Sequence, residues 1–259
     1  MSILEELVAG AVADAHTRMR EVPLADLERD IEAAPAAVDA VAALRRSDAV
    51  NVIAEIKRAS PSRGPIAPIE DPAALARTYA SAGASAVSVL TEGRRFRGSL
   101  DDLRAVRRAV DLPLIRKDFL VDEYQVMEAR AAGADFILLI VAALEQRQLS
   151  RLRERARALG MSALVEAHNV DEVARAVDAG AEIIGVNARN LHDFSLDTDV
   201  FGSMVDRIPD GVVKVAESAV KSVADVQKYR AAGADAVLVG EALVSGDARS
   251  LLAQFRRVS

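Results

Sequence analysis

Cysteine and tryptophan are both absent from this chain, and only three histidines occur, His16, His168 and His192. The first absence excludes disulfides and thiolate-held metals. The histidines are scattered rather than set at ligand spacing, so a bound metal is not expected. Aromatic residues fill just 3% of the 259 positions, whereas hydrophobic residues reach 51%, so an ample core must be built from Ala, Val, Leu and Ile. No basic stripe exists: net charge is −6 with Lys and Arg interspersed among acids, which argues against a nucleic-acid partner. No apolar run approaches the roughly 20 residues that span a bilayer, and Glu5 and Glu6 stand where a secretory leader would carry basic residues. A soluble, cytoplasmic protein with no membrane partner is expected.

What is present is a repeat. "SAGASAVSVL" from Ser81, "AAGADFILLI" from Ala131, "DAGAEIIGVN" from Asp178 and "AAGADAVLVG" from Ala231 each end an Ala-rich helical pattern on a glycine and enter a continuous apolar run. Gly83, Gly133, Gly180 and Gly233 fall 50, 47 and 53 residues apart. Between copies lie "LPLIRKDF", "MSALVEAH" and "GVVKVAES", and "VNVIAEIK" precedes the first. Each run is followed by an amphipathic stretch of helical length, such as "PAALARTYA" or "VADVQKYRAA". Eight strands alternating with eight helices must run parallel, which predicts a closed (β/α)8 TIM barrel of the α/β class, one domain over residues 1–259. An open doubly wound sheet is the alternative, but "KRASPSRGPI" lacks the GxGxxG spacing such a sheet carries after its first strand. Residues 1–48 read as a helical extension that either caps the barrel bottom or leans over its top.

The charges fall at one end of the strands. Glu55 and Lys57 share one face of the first, Lys117 ends the third, Glu166 the fifth and Glu217 the seventh; Leu90, Thr91, Asn187 and Gly240 end even-numbered strands. Taken singly, each charge could be a solvated ion pair. In a parallel barrel both strand faces are buried, so four strands carrying unpaired charge at their C-terminal ends would each cost several kcal/mol, and a shared site explains them better. Arg58 and Arg116 alternate away from the lysines and are placed outside the barrel; His168 and His192 read as polar loop residues. The loops "ESAVKS" and "VGEALVS", with Gly240 allowing close approach and Glu241 opening a helix, sit where barrels of this kind bind phosphate.

With "VIAEIKRASPSRG", "LIRKDFLVDEYQVMEAR", "LVEAHN", "IIGVNARNL", "VAES" and "AVLVGEAL", the chain resembles the indole-3-glycerol phosphate synthase family of tryptophan biosynthesis along nearly its whole length. The resemblance implies a lyase that closes 1-(2-carboxyphenylamino)-1-deoxyribulose 5-phosphate into indole-3-glycerol phosphate, releasing CO2 and water, with no cofactor. It implies that Lys117 protonates the carbonyl and that Lys57 meets the carboxylate and assists dehydration. Glu166 and Glu55 then supply base and carboxylate functions, with Glu217, Asn187 and Ser218 completing the polar network. Ser60, Phe119, Arg189 and Leu191 match pocket-lining positions, and Ser218, Ala219, Gly240 and Glu241 match the phosphate loops. Asn190 stands where the family often shows Asp, and Ala219 where Gly is expected. The partner implied is a small phosphorylated substrate; monomer and weak homodimer both fit. Two rivals are a Schiff-base aldolase using Lys57 or Lys117, and a ligand-binding barrel without catalysis.

Overall fold

The computed structural model describes residues 2–45, 47–190 and 195–259. Eight apolar runs form the barrel strands β1 (Asn51–Ile56), β2 (Ala86–Leu90), β3 (Leu114–Lys117), β4 (Phe136–Ile140), β5 (Ser162–Ala167), β6 (Ile183–Asn187), β7 (Val213–Glu217) and β8 (Ala236–Val239). Each pairs in parallel with its sequence neighbours, and β1 pairs with β8, which closes the ring. The sheet is thus the expected barrel. Alternation along each strand divides the core into two layers. Val52, Ala54, Val87, Val89, Ile137 and Leu139 face the helices, whereas Ile53, Ala86, Ile115, Phe136, Leu164, Ile183, Val213 and Ala236 fill the lumen.

Helices return from the top of the barrel to its bottom, so their N-termini lie beside the C-terminal ends of the strands. Short polar side chains start them there: Asp71 accepts from the N–H of Ala74, Ser99 from Asp102, Asn169 from Glu172 and Asp247 from Ser250. Asp122 with Gln125, and Ser222 with Asp225, form reciprocal capping boxes. At the opposite end Gly83, Gly133, Gly180 and Gly233 all take a left-handed conformation, with φ of +93°, +93°, +74° and +105°, which is why the repeat carries glycine there.

The helices ahead of β1 occupy both ends. Ala40, Val41 and Leu44, on the short helix Ala40–Leu44, pack with Ile53 and Ala86 and plug the bottom of the lumen. The long helix Ile3–Glu21 leans over the top rim, where Arg94 of the loop after β2 holds Asp14 at 2.7 Å, Arg95 holds Glu6, and Arg18 meets Glu128 at 2.5 Å. Two features were not foreseen. Ala59–Ser60 and Gly64–Pro65 form a small antiparallel ladder beside the mouth, and among its described residues the connection from β6 to β7 carries the short helix Val200–Met204 and a tighter turn over Val205–Arg207. Among the described residues no helix is long and apolar enough to cross a membrane.

Candidate active site

Strand register brings the terminal side chains to one level. Glu55 is level with Ser88, Lys117 with Leu90, Glu166 with Ile140 and Gly185, and Glu217 with Asn187 and Leu238. All open into one cleft at the C-terminal end of the barrel, with roughly 1100 Å³ of empty space counting its mouth, the size of a small-ligand site.

Two ammonium groups organise the floor. Lys117 Nζ lies 3.0 Å from Glu166 Oε2 and 3.4 Å from Glu217 Oε2. Lys57 Nζ lies 2.7 Å from Glu55 Oε1, and Ser88 Oγ donates to the other oxygen of that carboxylate at 3.2 Å. Burial works against charge on Lys117, but Glu166, Glu217 and Glu55 outweigh it and hold the ammonium protonated well above the ordinary lysine range. A Schiff-base nucleophile needs the opposite, a free amine at working pH, so this environment speaks against the aldolase alternative.

The three buried carboxyls differ in state. Burial pushes Glu166 up, yet Lys117, His168 and a hydrogen bond from the Asn187 amide bring it well below the usual carboxylate range. For Glu217, burial together with the neighbouring Glu166 outweighs the pull of Lys117, so its carboxyl is pushed up to about 8. Asn187 is oriented by two donors to its Oδ1, the N–H of Arg189 at 3.0 Å and Ser218 Oγ at 2.8 Å, which leaves its NH2 for Glu166.

Of the residues expected at the site, Ser60, Phe119, Arg189, Ser218, Ala219, Gly240 and Glu241 line the same cleft as the charged group; Leu191 lies outside the described residues, as does His192, read from the sequence as a polar loop residue. Gly240 has a more particular reason than backbone approach: a Cβ there would come within 2.6 Å of Glu55 Oε1 and 3.1 Å of Lys57 Nζ. The Glu241 carboxylate pairs with Arg63 at 2.9 Å, so only its N–H is placed to meet an anion. Arg116 lies outside the lumen as expected but is fully buried rather than solvated. It donates to Asp118, Glu128, Thr91 and the Gln125 carbonyl beneath the helix Glu123–Ala131. His168 lies in the loop just past β5, as expected, and its imidazole is packed there between Glu166 and Glu172.

Sequence patterns matching the indole-3-glycerol phosphate synthase profile extend over residues 4–255. The chain belongs to the indole-3-glycerol phosphate synthase family. It is 58% identical to the indole-3-glycerol phosphate synthase of Leifsonia xyli subsp. xyli, over 100% of this chain and 99% of that one. To the Streptomyces griseus protein of the same name it is 56% identical, over 98% and 94%. Among solved structures it is similar to a thiamine phosphate pyrophosphorylase from Pyrococcus furiosus, with TM-score 0.61 and 16% identity over 81% of this chain and 94% of that chain. At that identity the likeness is one of fold.

Within this cleft, sequence reading missed Phe96, Leu138 and Ile140, and took Lys221 only as part of the loop after β7. Leu138 and Ile140 share the inward parity of Phe136, which strand alternation alone could have indicated. Phe96 comes from the Arg-rich loop "EGRRFRG" and stacks at a tilt on Phe119, with ring centroids 6.1 Å apart; no periodicity signals such a contact.

Proposed function

We propose that this site performs the family's reaction in tryptophan biosynthesis, in the cytoplasm and on a small phosphorylated substrate. The carboxy-lyase closes 1-(2-carboxyphenylamino)-1-deoxyribulose 5-phosphate into indole-3-glycerol phosphate. The observation that carries the reading is the pair of lysines at one barrel mouth, Lys57 aimed by Glu55 of β1 and Lys117 by Glu166 and Glu217 from across the lumen. Lys117, protonated and fixed on the cleft floor, donates to the substrate carbonyl as the ring carbon attacks it, so that an alcohol rather than an alkoxide forms. Lys57 meets the substrate carboxylate until it leaves as CO2. It then protonates the departing hydroxyl as water. Glu166 and Glu55 accept the proton lost in dehydration, and the protonated Glu217 supplies a second exchangeable proton beside Lys117.

Phe96, Phe119 and Leu138 give the aromatic ring an apolar wall, and Ser60 and Arg189 complete the lining. The phosphate is held between the loops after β7 and β8, by the N–H groups of Ser218, Ala219, Gly240 and Glu241. Lys221 stands at the same rim and offsets the overall charge of −6, which would repel a doubly anionic substrate. Purified protein supplied with the carboxyphenylamino ribulose phosphate should generate indole fluorescence without added metal or cofactor. Absence of product, together with borohydride trapping of a ketose phosphate on a lysine, would sink this reading in favour of an aldolase.

A further inference from the structure

Glu166 is gripped from two sides, and the reaction uses only one of them. Lys117 takes Oε2 at 3.0 Å, while Oε1 faces His168 Nε2 at 3.3 Å, an ion-pair contact. That nitrogen is buried and makes no hydrogen bond among the described residues. The far side of the ring is held firmly. His168 Nδ1 lies 3.1 Å from Glu172 Oε2, and the same oxygen accepts the His168 backbone N–H at 2.8 Å. Glu172 Oε1 accepts from Asn169 Nδ2 at 2.7 Å, and the Glu172 N–H donates to Asn169 Oδ1 at 2.9 Å. Glu172 is therefore fixed by the cap of the helix Val170–Asp178 before the imidazole is added. Helix capping explains this cluster up to Nδ1. It does not explain a buried Nε2 aimed at a carboxylate in the lumen.

We propose that His168 is a positioning residue for Glu166, an imidazolium clamped by Glu172 that fixes one oxygen of the Glu166 carboxylate while Lys117 holds the other. The proposal rests on the assignment of Glu166 to the site. The charged groups acting on the ring are Glu166 from the end of β5, which His168 follows, and Glu172 from the next helix. Beyond Glu166 stand Lys117 from β3 and Glu217 from β7, and the neutral Asn187 amide reaches Glu166 from β6. Arg175, on the same helix as Glu172, is turned away to the carbonyls of Val141 and Leu144. Burial disfavours the charged ring, but the two carboxylates more than compensate and push it up to about 10, so it is a cation at neutral pH. Without that cation Glu166 would face the neighbouring Glu217 with Lys117 as the positive group that remains in contact with it. It would then take up a proton at higher pH.

Three variants test this, each checked for folding by circular dichroism. His168→Ala should lower kcat by about ten- to a hundredfold with little change in KM, and should shift the acid limb of kcat/KM upward by roughly one pH unit. His168→Gln keeps a neutral donor and should recover part of kcat without restoring the acid limb, because the charge is still missing. Glu172→Gln keeps the cap but frees the imidazole to lose its proton nearer its ordinary range. It should match the parent near pH 6 and develop a new alkaline limb by pH 8 to 9. That signature also carries the test if His168→Ala fails to fold. Parental pH profiles in both His168→Ala and Glu172→Gln would overturn the proposal, while Glu166→Gln with parental turnover would overturn the site assignment beneath it.

Discussion

Ser218 and Ala219, at the β7 loop, hold φ of +69° and +61°, two consecutive side-chain-bearing residues in the left-handed region. Each costs about 1–2 kcal/mol relative to glycine, so the loop is strained where family resemblance expects a glycine. Ala219→Gly should lower KM for the phosphorylated substrate and leave kcat nearly unchanged, since phosphate contacts far from the reacting carbons stabilise ground and transition states alike. Steady-state kinetics decide it, and an unchanged or raised KM means the loop already presents its N–H groups well. The two lysines should separate in the same assay. Lys117→Ala removes a proton donor used chiefly in the transition state, so kcat should fall by roughly 100-fold or more with a smaller change in KM. Lys57→Ala should harm both constants, because that ammonium is assigned to the ground-state carboxylate as well; a pure kcat effect would remove it from that contact.

Elements position these residues through vacancies as much as through contacts. A Cβ on Gly185, in the middle of β6, would stand 2.0 Å from Glu217 Oε1 and 3.1 Å from a Leu164 methyl. Glycine there opens the space into which Glu217 folds beside Lys117. Gly185→Ala should therefore reduce kcat by at least tenfold and lower the melting temperature, as overpacking costs about 1–3 kcal/mol; a variant with parental kcat and Tm would show that Glu217 has room elsewhere. Such a need is invisible in one dimension, because it arises from a side chain on the next strand. The strands themselves were legible, since a strand buried on both faces must be a continuous apolar run, and a charge inside such a run, as at Lys117 or Glu166, is conspicuous. Helical periodicity likewise revealed the helices ahead of β1 but not that Leu44 would plug the bottom while Arg18 reached the top. His168 shares the parity of Glu166 and stands four residues before Glu172, so its pairing was open to the alternation rule but obscured by its place at a strand end.

Across the whole molecule, the charged cluster ties stability to pH with a definite sign. His168 binds its proton more tightly folded than unfolded, so its contribution is fully present below about 6.5 and is lost as pH rises toward about 10. Glu217, also raised, acts in the same direction, whereas the lowered Glu166 and Glu172 withdraw their stabilisation only as the solution becomes acidic. Denaturant unfolding should therefore show stability declining from pH 6.5 to 10. His168→Gln should flatten that slope, and an identical slope would mean the ring is not charged in the native state.

Closure of the ring between β1 and β8 also bears on how the chain is made. Asn51 pairs with Ala236, roughly 185 residues later. At a synthesis rate of about 5–20 residues per second, the first strand waits on the order of ten to forty seconds for its second neighbour. Through that interval the newborn sheet has β2 on one side of β1 and an open edge of N–H and C=O groups on the other. A second nascent chain on the same polysome offers a matching edge. The seam that completes the catalytic mouth is thus the place where crowded ribosomes would cross-pair, and the yield of folded protein should fall with translation initiation rate before it falls with temperature.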